Sequence, residues 1–467
     1  YSGAGVVVST ACYFYGDTLK RAWFASSDES LKQINTYIGL KDLTGVQAGD
    51  LAGIKSVTYN DIAGRLKGEE ITDFTLSYLS DGGQNEVTSY FYKRFEDAGY
   101  DFDGDGNYGE LTDVLVRANL AGDGSAMAAS LVSRFWNGSG KWGDYFNGVE
   151  QPSFHNKQRS VTYYRGDKGE EQSDYTEKYI AGSITDYTYY YYGASETDAK
   201  RAGSETVGGQ MFASVTRRNA DASAPNSLLP TGAIFGGLPP TTAADVKSIT
   251  AYVGTAGEEQ VSRSASYAGG YATGWTFYYY GDISSHRRAQ TGANSTAGLA
   301  MYASKVQRHY SEDGTLEHFD YTKSVTYYAG TAGEEQADYA VKYSGGAGIE
   351  YTYYFYGTSL ADAESPTSGN TLNEQMILSH TKRNSVAPAK DTAGADTESI
   401  TYYATGIVAG DEQADYTYNY AAGSHVGYVF YYYGTTASGS IRPNTTTTGM
   451  AMRATIKRST SPSASVR

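Results

Sequence analysis

One segment of the sequence combines residue types and a spacing that suit a metal ion. Asp101-Phe-Asp-Gly-Asp-Gly-Asn107 places carboxylates at alternate positions before a glycine that permits a sharp turn. EF-hand-like loops aim several oxygens at a calcium ion in this way. The sequence therefore predicts calcium as a cofactor, with ligands drawn from Asp101, Asp103, Asp105, Asn107, Glu110 and Asp113. A solvated acidic turn is the alternative, because Thr112 stands where an EF-hand has a bidentate glutamate.

The other reactive residue types do not form a recognisable catalytic pattern. The six histidines are scattered without metal-ligand spacing, and no nucleophile elbow, zinc-protease motif or phosphate loop is present. Cys12, the one cysteine, lies in an aromatic run and has no Cys-x-x-Cys partner, which favours a buried apolar role. Paired acidic residues recur as copies, and a repeated active site is not expected. The sequence predicts a protein that is not an enzyme.

Three sequons and the overall composition bear on where the protein works. Candidate acceptors for N-linked glycans, if the chain is secreted, are Asn137, Asn294 and Asn444. The 37 basic and 52 acidic residues give a net charge of −15, which argues against a nucleic-acid partner. No apolar stretch is long enough for a transmembrane helix. The sequence begins at Tyr1 with neither Met nor a signal peptide, as expected of a mature form or a fragment.

An internal repeat organises the chain. Copies that begin with Ser-Val/Ile-Thr start at Ser160, Ser248, Ser324 and Ser399, which are 88, 76 and 75 residues apart. Each continues with an acidic turn, an aromatic run closed by glycine and a Met-led run that ends in basic residues. A degenerate copy starts at Ser56, and the chain opens inside a half copy. Solenoid repeats are shorter, about 20–45 residues, so each copy is predicted to be a small domain.

These copies define the predicted fold and its boundaries. The fold class is all-β, a linear array of about five and a half antiparallel units of roughly 75 residues and four strands, sandwich-like or with stacked sheets. A closed propeller ring is disfavoured, because neither end supplies what the other lacks. The predicted segments are a half repeat (1–35), a degenerate repeat with the Asp-rich loop (56–119), an insertion or linker with a short helix over 125–136 (120–159), repeats (160–219, 248–309, 324–384 and 399–458), a Pro-containing linker (220–247) and a tail (459–467).

Tyrosine, with 46 residues against 15 phenylalanines, dominates the predicted strands. The second run of each copy alternates apolar and polar residues, which is typical of a half-buried strand. The third run, as in 351–356, is aromatic on both faces, so one face must meet another sheet, the next repeat or another subunit. Ordinary half-buried strand residues are the alternative. The predicted assembly interface comprises Tyr187, Tyr189, Tyr191, Trp275, Phe277, Tyr279, Tyr351, Tyr353, Phe355, Tyr428, Phe430 and Tyr432.

The repeated segments Ser-Val-Thr-Tyr-Tyr, Gly-Glu-Glu-Gln-Ala-Asp-Tyr and Tyr-Thr-Tyr-Tyr-Phe-Tyr-Gly resemble a known kind of sequence. They are similar to tyrosine-rich tandem repeats of very long surface or extracellular proteins of uncultivated bacteria, over residues 56–458 and the leading half copy. A weaker similarity to YD-repeat shells lacks their short Gly-x-x-x-Arg-Tyr-x-Tyr-Asp signature. The resemblance implies a secreted, β-rich protein with a structural or adhesive role at the cell surface, and it carries over no catalytic motif.

Two functions follow as hypotheses. The first is a structural subunit of an extracellular filament, sheath or surface layer, which assembles with itself or with continuing repeats through tyrosine-rich sheet faces and strand addition. The second is a repeat adhesin that binds polysaccharide on aromatic platforms. That second hypothesis expects exposed, coplanar rings around Trp275, Tyr278 and Tyr280.

Overall fold

A computed structural model describes most of the chain: residues 9–78, 84–93, 115–134, 158–180, 182–196, 198–202, 208–219, 242–289, 295–308, 316, 319–357, 359–367, 374–384, 390–404, 412–433, 441–443 and 452–459. Within these ranges the chain forms strands and turns, one short 3-10 helix at Ala118–Leu120, and no α-helix. None of the described residues forms a helix long and apolar enough to cross a membrane. Two compact units divide the chain, Gly3–Glu259 with Ala265–Ala272, and Gln260–Ser264 with Thr273–Arg467.

Fourteen described strands lie in the first unit. They are β1 (Ser9–Tyr15), β2 (Lys20–Arg21), β3 (Leu31–Ile38), β4 (Ile54–Asp61), β5 (Ile71–Tyr78), β6 (Gln84–Lys93), β7 (Leu115–Val116), β8 (Met127–Ser133), β9 (Gln158–Arg165), β10 (Gln172–Ile180), β11 (Ser183–Tyr192), β12 (Lys200–Arg201), β13 (Met211–Arg217) and β14 (Val246–Val253). The residues of β15 (Gln260–Ala268) are shared between the two units.

The remaining described strands belong mainly to the second unit. They are β16 (Tyr271–Tyr280), β17 (Arg287–Arg288), β18 (Met301–Gln307), β19 (Thr322–Ala329), β20 (Gln336–Ser344), β21 (Ala347–Gly357), β22 (Gln375–Lys382), β23 (Thr397–Tyr403), β24 (Ala414–Ala421), β25 (Ser424–Tyr433) and β26 (Met452–Ser459). Within each unit, strands that are neighbours in sequence pair antiparallel, and this confirms the predicted all-β antiparallel class.

Each copy contains four long strands, and the copies at 56–133, 160–219 and 248–309 also contain one short strand; in the copies at 324–384 and 399–458 an isolated bridge takes its place. In the copy at 160–219 the first to fourth strands are β9, β10, β11 and β13, and two-residue β12 pairs with the end of β11. The fourth strand then pairs with the first strand of the next copy, as β8 does with β9 and β13 with β14. Within each unit, successive copies therefore continue one hydrogen-bonded ladder. The short strand was not predicted.

Local residue chemistry explains where the strands begin and end. Tyrosine, valine and threonine fill the strands, because branched and aromatic side chains suit a pleated surface. Glycine supplies the left-handed backbone of the turns: Gly345 and Gly346, at φ +56° and +80°, join β20 to β21 in a two-residue hairpin.

The structure corrects one expectation about the segment predicted as a linker. The short helix expected over 125–136 is wrong, because Met127–Ser133 is strand β8. β8 pairs with both β6 and β9, so it is the fourth strand of the degenerate copy. Pairing on both edges outweighs the helix preference of its alanines. The predicted boundary at 119/120 thus falls between the third and fourth strands of one copy.

Strand register divides the side chains of each copy between two faces. On one, here called the inner face, Tyr163, Tyr175 and Tyr189 are cross-strand neighbours, and Val161, on the same face of the first strand, is fully buried. On the other, here called the outer face, threonines lie across from one another, and tyrosine hydroxyls lie beside them. Because alternate residues of a strand point to opposite sides, both aromatic sets of the third strand are accommodated.

Aromatic rings on the inner face stack from the first strand to the third. Tyr163 and Tyr175 have centroids 4.5 Å apart, and Tyr175 and Tyr189 follow at 6.0 Å. The same ladder recurs at Tyr327–Tyr339–Tyr353, with separations of 4.6 and 5.7 Å, and at Tyr402–Tyr416–Phe430, with 4.7 and 6.1 Å. Each such pair adds about 0.5–1.5 kcal/mol beyond the area that it buries.

A β-bulge at the start of the second strand places an acidic residue on the inner face. The extra residue of the bulge is Asp73, Asp174, Asp338 or Asp415 in four copies. A bulge also leaves a backbone carbonyl without a ladder partner. The last tyrosine of the third strand donates its hydroxyl to that carbonyl, as Tyr192 does to Ser173 at 2.9 Å and Tyr356 to Ala337 at 3.0 Å.

An arginine from the short strand or beside it covers the aromatic ladder and pairs with the bulge aspartate. The guanidinium carbon of Arg201 lies 4.6 Å from the ring centroid of Tyr189, and its Nε donates to Asp174 at 2.6 Å. Arg117 with Asp73, and Arg442 with Asp415, repeat the arrangement. In the copy at 324–384, Asp338 accepts a hydrogen bond from Thr367 instead.

We expect the two arginines that share Asp174 to differ in their contribution to stability. The side chain of Arg201 is 4% exposed, whereas that of Arg165 is 47% exposed. Arg201→Met should lower the free energy of unfolding by about 3 kcal/mol, because it leaves a buried carboxylate short of a partner. Arg165→Met should cost less than about 1 kcal/mol. Guanidinium unfolding followed by circular dichroism measures both, and equal losses would contradict this account of the core.

Candidate functional site

Two groups of predicted site residues lie outside the described residues. The calcium ligands Asp101, Asp103, Asp105, Asn107, Glu110 and Asp113 are one group, and the glycan acceptors Asn137, Asn294 and Asn444 are the other. Both remain predictions. Within the described part of the chain, no three histidine, cysteine or acidic side chains are grouped so as to hold a metal ion.

The twelve aromatic residues predicted as an assembly interface all lie on the inner face. Seven are buried, namely Tyr189, Tyr191, Trp275, Phe277, Tyr279, Tyr353 and Phe355. The other five, Tyr187, Tyr351, Tyr428, Phe430 and Tyr432, are half-buried. Contacts within the chain therefore already cover most of these rings, and their role between subunits remains a prediction.

The aromatic platform expected of an adhesin is not formed. Trp275 is buried on the inner face, while Tyr278, three residues later on the same strand, lies on the outer face. Tyr280 is also buried, and its hydroxyl donates to the carbonyl of Val261 at 2.9 Å. Alternation along a strand prevents the three rings from sharing one plane.

Half-buried tyrosines of the outer face connect neighbouring copies. A serine of the fourth strand hydrogen-bonds a tyrosine of the next first strand at Ser130–Tyr164 (3.1 Å), Ser214–Tyr252 (3.2 Å), Ser304–Tyr328 (3.0 Å) and Ser379–Tyr403 (3.4 Å). A third-strand tyrosine, such as Tyr354 beside Ser379, stands directly across from each serine. Each of these four junctions thus presents a tyrosine–serine–tyrosine set on its outer face.

Burial changes the acidity of these phenols. Loss of hydration raises the pKa of Tyr164, Tyr328 and Tyr403, and it raises the pKa of Tyr354 to about 12. On the inner face the same cause raises the pKa of Tyr339 and Tyr402 to about 12. The hydroxyls are therefore neutral donors and acceptors at neutral pH.

Glycine makes the acidic turn between the first and second strands possible. Gly330 opens the turn at φ +126°, and a Cβ there would lie 2.7 Å from the carbonyl oxygen of Glu334. Gly333, at φ +81°, then leads into the Glu-Glu-Gln sequence. Only glycine fits such a left-handed, closely packed backbone.

The second glutamate of each acidic turn ties one copy to the copy before it; this contact is called the junction clamp. One carboxylate oxygen accepts the backbone N–H that begins the preceding fourth strand, and the other accepts a glycine N–H of its own turn in four copies. The five clamps are Glu70 to Leu31 (2.8 Å), Glu171 to Met127 (3.0 Å), Glu259 to Met211 (2.7 Å), Glu335 to Met301 (2.8 Å) and Glu412 to Met376 (3.0 Å).

The glutamine that follows the clamp glutamate contacts the segment just before the fourth strand of its own copy. Gln172 Nε2 donates to the carbonyl of Gly209 at 3.1 Å, two residues before Met211. Between the acidic turns that flank this segment lies a cleft of about 450 Å³. Carboxylates, phenols and backbone groups line it, an arrangement able to bind hydroxyl-rich or cationic groups: Glu170, Glu171, Gln172, Ser173, Tyr190, Tyr192, Gly208, Gly209, Met211, Ala256, Gly257 and Glu259.

Neither the junction clamp nor the arginine cover was predicted, although the sequence carries a signal for each. Both glutamates of the acidic turn look alike in sequence, and only the fold shows that the second one reaches the neighbouring strand. Arginine follows the aromatic run by eight residues at Gly193–Arg201 and at Gly434–Arg442, and aspartate precedes the second-strand aromatic. This regular spacing would have indicated a pairing between strands that recurs from copy to copy.

No protein-family model matches this chain, and no match was found among curated proteins. Among solved structures, the chain is similar to the crystal structure of TcdB2-TccC3, with 11% identity, a TM-score of 0.21, and coverage of 97% of this chain and 21% of that one. It is also similar to a Photorhabdus luminescens Tc holotoxin pore, with 10% identity, a TM-score of 0.14, and coverage of 91% and 23%. The chain spans about a fifth of those chains, and TM-scores this low carry no argument.

We expect the junction clamp to stabilise the fold through one of its two glutamates only. Glu171→Ala should lower the free energy of unfolding by about 1–2 kcal/mol, because it leaves the Met127 N–H without its charged acceptor. Glu170→Ala, the adjacent exposed residue, should change it by less than about 0.5 kcal/mol. Urea unfolding of both variants measures the difference, and a larger loss for Glu170→Ala would contradict the clamp.

Alkaline pH should weaken the fold through its buried phenols. The pKa of an unfolded tyrosine is about 10. A folded pKa raised to about 12, as for Tyr339, Tyr354 and Tyr402, adds stability that is complete below about pH 10 and is lost as the pH rises through about 12. Denaturation midpoints between about pH 8 and pH 12 test this, with tyrosinate absorbance in concentrated guanidinium as the unfolded control. A midpoint that stays constant above about pH 10 would contradict it.

Proposed function

We propose that this protein is a non-catalytic structural subunit of an extracellular filament, sheath or surface layer. The observation that carries the proposal is the recurrence of one junction. The same carboxylate-to-N–H contact joins neighbouring copies five times, each within a continuing antiparallel ladder. Copies can therefore follow one another with unchanged geometry, which suits a protein whose role is to extend.

The outer face offers the surface for association between chains. Its tyrosine–serine–tyrosine sets repeat along the chain and stay half-buried. Phenol rings combine a large apolar area with a hydroxyl that tolerates water, so a face of this kind suits contacts that begin hydrated. In this proposal the partner is another copy of the chain or further repeats of the same type, at the cell surface or outside the cell.

Assembly of the purified chain tests this function. We expect light scattering to show a mass that rises with concentration, and negative-stain electron microscopy to show filaments or sheets. The double change Tyr354→Ser and Tyr403→Ser should raise the concentration needed for assembly about tenfold, because it removes two outer-face rings. Tyr271→Ser, at a side chain 66% exposed, is the control and should leave assembly unchanged. Monodisperse monomers at every concentration would overturn the proposal.

A repeat adhesin that binds polysaccharide is the second candidate, favoured by the cleft between successive acidic turns. Tyr190 and Tyr192 lie beside Glu171 and Glu259 there, so aromatic surface and hydroxyl acceptors occur together. Glycan-array binding by a chain that stays monomeric, lost on Tyr190→Ala, would favour this function over assembly.

A further inference from the structure

In five of the fourth strands, one inner-face position near the middle of the strand is buried whatever residue occupies it. The residues are Asn35, Leu131, Val215, Lys305 and His380, none more than 2% exposed. They differ in size, charge and polarity. Their burial therefore comes from what covers them and not from their own hydrophobicity.

The cross-strand neighbour at this position is always a valine or isoleucine on the first strand of the next copy. At Asn35, Lys305 and His380 the segment that leads into that strand also makes contact, through the Ala48 carbonyl, the Phe319 ring and the Lys390 carbonyl. Directly across from the five positions lie Val57, Val161, Ile249, Val325 and Ile400. Each of these is at most 1% exposed. A first strand laid along the fourth-strand edge thus buries the residues on both sides of the pair.

β26 is a fourth strand whose matching position is open. Ile456 lies across from Phe430 of β25, as Val215 lies across from Tyr189. It is nevertheless 43% exposed, and Met452, at the start of the strand, is 52% exposed. Within the described residues, β25 is the only strand that pairs with β26.

In two of the five junctions an ion pair at the end of the fourth strand also joins the two strands. Two residues after the buried position, Arg217 pairs with Asp245 at 2.8 Å and Lys382 pairs with Asp396 at 3.1 Å. Both aspartates immediately precede a first strand. Arg458 holds the corresponding sequence position in β26, so a matching strand would bring an aspartate before its first residue.

We propose that the open edge of β26 binds the first strand of a further repeat of this type. That strand carries aspartate before it, valine or isoleucine opposite Ile456, and an acidic turn after it whose second glutamate accepts the Met452 N–H. This inference rests on the proposed structural function and names the strand through which it extends. In a second copy of the chain, β4, β9, β19 and β23 are not free to supply this strand, because each already has neighbours on both edges.

A peptide of residues 244–260 is the probe, since it contains Asp245, Ile249 and Glu259 in the required order. Fluorescence anisotropy of the labelled peptide with the full chain should show saturable binding. Glu259→Ala in the peptide should weaken binding about tenfold, because the carboxylate acceptor is lost. Ile249→Lys in the peptide should abolish binding, because all five paired first strands carry valine or isoleucine at this position, whereas Ile283→Lys in the full chain, at a turn residue 79% exposed, is the control and should not change it.

Disulfide capture then tests the register. Ile456→Cys in the chain should cross-link to peptide carrying Ile249→Cys and not to peptide carrying Ser248→Cys, because a shift of one residue turns the side chain to the other face. Equal cross-linking at both positions would overturn the proposal. So would a disulfide dimer of two Ile456→Cys chains that the peptide does not displace. If the peptide fails to bind while filaments still form, this edge assignment fails and the structural function stands; if neither occurs, both fail.

Discussion

The whole fold depends on the pairing of one copy's fourth strand with the next copy's first strand. At the centre of that pairing a valine or isoleucine covers a position that is Asn35, Leu131, Val215, Lys305 or His380. The apolar partner is always supplied by the first strand, so the fourth strand is free to vary. Polar residues there are tolerated because they keep hydrogen bonds; His380 Nε2, for example, lies 2.8 Å from Thr397 Oγ1.

Polar contacts with fixed positions keep successive copies in register. A sheet that slips by one residue exchanges its two faces, so a repeat protein must specify register at every junction. Here the junction clamp does so from the end of the strands, whereas the bulge aspartate and its arginine connect strands within one copy. Tyrosine is preferred to phenylalanine at the end of the third strand because its hydroxyl satisfies the carbonyl that the bulge leaves unpaired, as Tyr192 does for Ser173.

The two faces of the sheet carry different physical roles. Inner-face rings such as Phe277 and Tyr279 are buried by the chain itself and hold each copy together. Outer-face tyrosines such as Tyr354 and Tyr403 are half-buried, and together with the open edge of β26 they are the surfaces from which contacts between chains are to be expected. Seven of the twelve aromatic residues predicted as an assembly interface are therefore core residues, and the outer-face tyrosines are the proposed surface for association.

The sequence by itself determined the all-β class, the number of long strands in a copy and the alternation of each strand, because periodicity and turn glycines act locally. It misjudged Met127–Ser133, where pairing on both edges outweighs helix preference. Only the tertiary structure decided which aromatic face is buried, which glutamate of each turn forms the clamp, and that Arg201 reaches Asp174. These contacts join residues far apart in sequence, and their partners are defined only once the strands have taken their register.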